Sequence, residues 1–430
     1  MEYNKLNFDV DDLLKRKTFV KNLMQVINEW NQLKHENDSL VISIDAPWGS
    51  GKSYLLNMWK NWLISEENSD KKYAVTYYNA WENDDSDNAF IPLVYKLQQM
   101  DVYKENISLI DNVKQRSKDF LKSCAVALLK DGIKKAIGEE TANLIGEGID
   151  GATETEIENF FKQYSKYIEE KEKFRNALID LIPESGKLIV FVDELDRCRP
   201  IFAVETLEIV KHYFNIQNIV FIFAVDLSQL SHSIATMYGD GMDSAGYLRR
   251  FFDVNINIPS GDIKQYIKTI LKDFVEKMGY QEVFFDIVTN VYVKLRLSLR
   301  DIDKITNNFI VFCLFYKHFI DEKIATQPDR VLEILEVYLY FMALKYKYPI
   351  IYNTILKQEF IAYDNAPQNW DVIEMKYFIS PNINEMLKKS QIGGAQKKDK
   401  SLIEKYGLDK INSDGLSFAE HIERTLEMFS

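Results

Sequence analysis

Apolar positions along this chain follow two rhythms. Short runs rich in β-branched and aromatic residues read as buried strands: VISID ending at Asp45, KYAVTYYN (72–79), KLIVFVD (187–193), NIVFIFAVD (218–226) and FFDVNINIP (251–259), the last stopped by Pro259. Between them, apolar residues recur every three or four positions. Leu55, Leu56, Trp59, Trp62 and Leu63 predict an amphipathic helix over 53–64, and PIFAVETLEIVKHYF (200–214) a second one. Pro200 suits the first turn of that helix, where its missing N–H is no loss. Strands that are apolar throughout, separated by helices, predict a parallel sheet covered on both faces. Residues 100–180 read as a long, mostly helical insertion with a glycine-bearing acidic segment from Gly138 to Gly151. From 262 onward every periodic stretch is helical, including 263–278 and 329–346. A linker, KKSQIGGAQKKDK (388–400), precedes a last helix around Ser417–Met428.

Composition narrows what such a sheet can serve. The 430 residues are 46% hydrophobic and 27% charged, an ordinary globular balance with room for a large core. Against 53 Lys and Arg stand 65 Asp and Glu, a net charge of −12, so a nucleic-acid partner is disfavoured. The basic run 388–400 reads as a solvated linker, with nucleic-acid contact as the alternative. Cys124, Cys198 and Cys313 are odd in number and far apart, which points to a reducing compartment. The five histidines (His35, His212, His232, His318 and His421) have no metal spacing. No uncharged apolar run reaches the roughly 18–20 residues that cross a bilayer. FIVFCLFY (309–316) and VYLYFMAL (337–344) read instead as buried helix, and a cytoplasmic protein with no membrane partner is expected.

Chemistry concentrates where the first strand ends. In VISIDAPWGSGKS (41–53) a strand runs into a glycine-bearing loop, and Lys52-Ser53 open a helix. Gly49 and Gly51 let the backbone wrap a phosphate and aim N–H groups inward, and the helix adds its positive end. Lys52 supplies charge for the β- and γ-phosphates, and the Ser53 hydroxyl suits Mg²⁺. The phosphate-binding segment is taken as Trp48, Gly49, Ser50, Gly51, Lys52, Ser53 and Tyr54. The usual pattern has glycine at position 46, where this chain has Ala46, so the loop's entry must avoid a left-handed backbone or carry strain. A glycine-rich turn that happens to precede Lys-Ser is the plain alternative. A second motif, KLIVFVDELDRCRP (187–200), delivers Asp193 to the same sheet edge, where it can hold the metal shell opposite Ser53. Glu194 can then polarise an attacking water. Acidic residues after a strand are otherwise common as solvated termini.

The combination of APWGSGKS, YYNAWENDD (77–85) and VDELDR (192–197) resembles the KAP family of P-loop ATPases, and the lead-in DDLLKRKTFVKNLMQVI (11–27) resembles that family's opening helix. The likeness spans roughly residues 10–310. It implies a P-loop core with a five-stranded parallel sheet in the order 5-1-4-3-2. It also implies ATP and Mg²⁺ as ligands, Lys52 and Ser53 on phosphates and metal, Asp193 on the metal and Glu194 as base. Asp226 would occupy the place of a residue that reads the γ-phosphate. Many family members insert transmembrane helices between these motifs. Here SCAVALLKDGIKKAIGEE is broken by Lys130, Asp131, Lys134 and Lys135, so a soluble member is expected.

Arg249 and Arg250, in GYLRRFFDVNINIP (246–259), resemble a segment that presents an arginine finger to a neighbouring subunit; a helix-end pair is the alternative. Arg300 in LSLRDIDKI (297–305) resembles a second nucleotide-sensing arginine, or is a surface residue. Arg197 is left open between Asp196 and the insertion as partners. Trp81 reads as core rather than as a ligand contact. The chain divides into a core over 1–260 (insertion about 100–180), a lid-like helical part over 261–330 and a helical C-terminal region over 331–430. The expected activity is Mg²⁺-dependent ATP hydrolysis driving a conformational switch, set by resemblance in bacterial anti-phage defence. Two further classes stay open: a nucleotide-dependent scaffold with little hydrolysis that recruits a protein through the C-terminal helices, and a DNA-remodelling ATPase. Homo-oligomerisation would accompany a finger acting in trans.

Overall fold

The computed structural model of the chain describes residues 3–34, 38–65, 73–86, 88–100, 107–127, 154–239, 241–279, 282–318, 320, 328–356, 425–427 and 429. The glycine-bearing segment 138–151, the linker 388–400, His35 and His421 lie outside them, as does the expected last helix apart from 425–427.

Two compact units emerge. The first comprises 1–12, 16–47 and 51–259, and the second 13–15, 48–50 and 260–430. The first is built on β1 (Leu40–Asp45), β2 (Tyr73–Asn79), β3 (Lys187–Asp193), β4 (Ile219–Val225) and β5 (Val254–Asn257). All pairs are parallel, in the order β2-β3-β4-β1-β5, which is 5-1-4-3-2 from the other edge. The three inner strands are buried almost throughout, as their uninterrupted apolar sequences require. Register aligns their carboxyl ends: Asn79 stands opposite Asp193, Asp193 opposite Ala224, and Asp45 opposite Val225 and Asn257. Polar residues from four strands therefore meet on one edge of the sheet.

Helices cover both faces. On one lie α1 (Lys17–Lys34) and α2 (Lys52–Leu63), with Trp59 fully buried edge-on to Phe191 at 5.3 Å. On the other lie α3 (Phe90–Gln98), the insertion helices α4 (Ile107–Ala127) and α5 (Glu154–Ile179), then α6 (Pro200–Tyr213), α7 (Leu227–Tyr238) and α8 (Ser244–Leu248). An aromatic stack ties the insertion down: Phe120 lies flat on Phe174 at 5.4 Å, and Phe90, Tyr213 and Phe214 close around them.

Two expected boundaries move. The opening helix starts at Lys17, not at residue 11. Asp12 accepts the N–H groups of Arg16 and Lys17 at 2.8 and 2.7 Å, and Lys15 has a left-handed backbone (φ 54°), which together end the preceding turn. The fifth strand is only Val254–Asn257. Phe251 still belongs to the turn that ends α8, its N–H donating to the Leu248 carbonyl at 3.0 Å, and the chain joins the sheet when the Asp253 N–H reaches the Val41 carbonyl at 2.8 Å.

The second unit is helical: α9 (Ile263–Met278), α10 (Glu282–Lys294), α11 (Leu299–Phe315), α12 (Pro328–Lys347) and α13 (Pro349–Leu356). Its core gathers Ile267, Leu271, Tyr292, Phe309, Phe312 and Tyr338. Ser298 and Asp301 form a reciprocal cap at the start of α11, and Lys347 pairs with Asp301 at 2.6 Å. Among the described residues, no helix is long and apolar enough to cross a membrane.

Candidate active site

The loop after β1 continues the sheet before it turns. The Ala46 N–H donates to the Val225 carbonyl at 3.1 Å, and Ala46 is absent from the positive-φ positions. Alanine in place of the usual glycine is therefore unstrained. Gly49 (φ 80°) and Gly51 (φ 82°) do lie in the left-handed region, and Gly51 is the N-cap of α2.

Lys52 is buried and curls over the loop, donating to the Ala46 carbonyl at 2.5 Å and more distantly to that of Pro47 at 3.4 Å. Burial pulls its ammonium below the ordinary lysine value, and the carboxylates of Asp196, Asp226, Asp193 and Asp45 oppose that shift. Each of these four accepts a backbone N–H, Asp193 from Glu194. Asp196 accepts the Asp226 N–H at 2.9 Å, Asp45 accepts the Leu227 N–H at 2.9 Å, and Asp226 caps α7 through the Gln229 N–H at 3.1 Å. Asp226 thus stands at the carboxyl edge beside Lys52 while serving as a helix cap.

Asp193 is 1% exposed and still well partnered. Tyr77 Oη donates to Oδ2 at 2.6 Å, the Glu194 N–H donates to Oδ1 at 2.9 Å, and the Ser53 hydroxyl lies nearby. Burial pushes this carboxyl above the usual carboxylate range, and the neighbouring Ser53 and Tyr77 hydroxyls pull it partly back. Burial first, and then the charge of Asp193, push the Tyr77 phenol up. A hydroxyl and a carboxylate side by side, both hard oxygen donors, suit Mg²⁺ sharing its shell with phosphate and water. The donor set fits that ion.

Glu194 has a left-handed backbone (φ 60°), a conformation that costs about 1–3 kcal/mol and persists only where neighbours hold it. They do. Asn79 Nδ2 donates to Oε2 at 3.2 Å, and Arg197 Nη1 pairs with Oε1 at 2.7 Å. A cavity of about 470 Å³ opens beside Ser53 and Glu194, walled by Asn57, Thr76, Tyr77 and Asn79.

The fold thus brings Gly51, Lys52, Ser53, Asp193, Glu194 and Asp226 to one sheet edge. Tyr54 is half-buried, and Trp48, at the loop's crest, is exposed. Arg249 and Arg250 are exposed at the end of α8, and no described contact joins either to Lys52, Ser53, Asp193 or Glu194. Arg300, in the second unit, donates its backbone N–H to the Gly49 carbonyl at 3.2 Å; its side chain is exposed. His212, His232 and His318 are exposed. Trp81 reverses its expected burial: it is 53% exposed, with its ring on the Arg197 guanidinium at 5.6 Å. Tyr77, Asn79 and Arg197 were not assigned roles from the sequence. The usable signal was their spacing, since Tyr77 and Asn79 share one face of the strand that pairs with β3.

No curated protein matches this chain. Among solved structures, the Aeropyrum pernix ORC2 protein (ADPNP-ADP complexes) is similar at 12% identity over 96% of this chain and 95% of that one, with a TM-score of 0.34, too low to carry an argument. The pattern of the KAP family P-loop domain matches residues 16–314, which is most of the chain and contains both acidic and glycine-loop motifs. With its glycine loop and Asp193-Glu194 on the edge of a 5-1-4-3-2 parallel sheet, this chain belongs to the KAP family of P-loop NTPases.

Proposed function

We propose that the chain is a Mg²⁺-dependent ATPase that works as a conformational switch. The observation that carries this reading is the convergence on one sheet edge of Lys52 and Ser53, at the start of α2, with Asp193, at the end of β3, and Glu194 next in sequence. The backbone of Gly49, Ser50 and Gly51, with Lys52, would hold the phosphates, and Trp48 and Tyr54 would flank the nucleotide. Ser53 and Asp193 would hold Mg²⁺, which when bound neutralises charge on the β- and γ-phosphate oxygens. Glu194 would orient and polarise the attacking water, for which the adjoining cavity has room. ATP rather than GTP, and a setting in anti-phage defence, rest on family resemblance.

The test is turnover of ATP with Mg²⁺ and with chelator, in wild type, Lys52→Ala and Glu194→Gln. Lys52→Ala should lose nucleotide binding, and Glu194→Gln should bind but turn over at least about 10²-fold more slowly. Equal turnover in all three would remove the assignment.

A further inference from the structure

The element Asn79-Ala80-Trp81-Glu82 lies along the segment that carries Glu194. Three side-chain links join the two loops in order. Asn79 meets Glu194 at 3.2 Å, Trp81 covers Arg197 at 5.6 Å, and Asp84 pairs with Arg199 at 3.0 Å. Backbone bonds lock the ends: the Ala80 N–H donates to the Asp193 carbonyl at 2.9 Å, and the Arg199 N–H to Asp84 Oδ2 at 2.8 Å. The middle link bears on the chemistry. Arg197 faces Glu194 on one side and the Trp81 ring on the other, and among the described residues it makes no other side-chain ion pair or hydrogen bond.

We propose that Trp81 and Arg197 are positioning residues that aim the Glu194 carboxylate, Trp81 acting through Arg197. This rests on the reading of Glu194 as the residue that polarises water. A carboxylate offers about four lone-pair directions. Arg197 uses one on Oε1 and Asn79 one on Oε2, so the group is fixed at both oxygens and keeps a free lone pair on each. Glu194 lines the cavity beside Ser53, where those lone pairs can meet a water. The guanidinium would otherwise be free to swing into solvent, for it is 29% exposed. The indole restrains it, because a planar cation over an aromatic face is held by both charge and shape.

The experiment is a double-mutant cycle on steady-state ATP turnover, with nucleotide affinity measured separately by a fluorescent ATP analogue. Arg197→Ala should lower kcat by about tenfold or more, since small misplacements of a reacting group are costly, and leave affinity within about twofold. Trp81→Ala should lower kcat about two- to fivefold, the rate equivalent of an exposed cation–π contact, and Trp81→Phe should keep most activity. The double variant should be no slower than Arg197→Ala alone. Multiplicative losses, a wild-type kcat in Trp81→Ala, or an effect confined to nucleotide affinity would each overturn the relay. Should Arg197→Ala fail to fold, Arg197→Lys combined with Trp81→Ala supplies the same cycle. Glu194→Gln separates the two levels of the argument. Full turnover in that variant removes the reading of Glu194 itself. If it is slow while Trp81→Ala and Arg197→Ala are both fully active, only the relay falls.

Discussion

Replacing Tyr77 by Phe removes one oxygen and little else. That oxygen donates at 2.6 Å to a carboxylate that is 1% exposed. A hydrogen bond to an ionised group contributes about 1.5–3 kcal/mol. Because the Glu194 amide still serves Asp193 and the adjoining cavity can supply a water, we expect the lower half of that range, about 2 kcal/mol. For a core of this size that is a fall of about 4–8 °C in Tm. The pH dependence is more telling. Burial holds Asp193 above its unfolded value, so the folded chain keeps this proton longer than the unfolded chain does. Stability linked to it is present below the unfolded pKa and lost as pH rises through the folded value. Losing the Tyr77 hydroxyl raises the folded value further, so the deficit of Tyr77→Phe should grow from mildly acid to neutral pH. Urea unfolding at both pH values, followed by tryptophan fluorescence with m held in view, measures it. A deficit that is the same at both, or absent at neutral pH, refutes the claim that Tyr77 favours the ionised form of Asp193.

Other outcomes follow from the same geometry. Ala46→Gly, which restores the usual loop pattern, should not improve nucleotide binding, because Ala46 needs no left-handed backbone; it should cost about 0.4–1 kcal/mol through the unfolded chain, read by thermal shift. Phe174→Ala should loosen the insertion, since its ring is fully buried against Phe90, Phe120 and Phe214; about 3–5 kcal/mol is at stake, and limited proteolysis should cut within 107–179 at lower protease than in wild type.

Much of this fold was legible because its strands are buried on both faces. VISID, KLIVFVD and IVFIFAV are apolar nearly throughout, and their ends are marked by Asp45, Asp193 and Asp226. Where burial is partial, reading by pattern failed. β5 sits at the sheet's edge and alternates only weakly, so the two phenylalanines before it looked like more strand. Local capping set the start of α1, a matter of which N–H groups Asp12 reaches and not of periodicity. In the site, residues whose chemistry is local could be named from their motifs, among them Lys52, Ser53 and Asp193. Asn79, Tyr77 and Arg197 act across strands or loops, and the pairing of Asn79 with Asp193 is a fact of register that no single stretch of sequence contains. Trp81 misled for a related reason: a bulky ring after a strand usually turns inward, but here the neighbouring guanidinium offers it a surface.

The order of strands has a consequence for how the molecule comes into being. β1 carries the glycine loop, yet its partners on the two sides are β4 and β5, which arrive late in the chain. During synthesis, the first strand and its loop must wait while β2, the insertion and β3 emerge. Even the Ala46 amide, which seats the loop, has its acceptor at Val225. Such distant pairings close slowly and leave strand edges open in the meantime. A ribosome-bound chain halted before residue 219 should therefore own Lys52, Ser53, Asp193 and Glu194 and still be unable to seat its phosphate loop. A phosphate loop seated only when its sheet is nearly complete would make ligand binding a late checkpoint on folding.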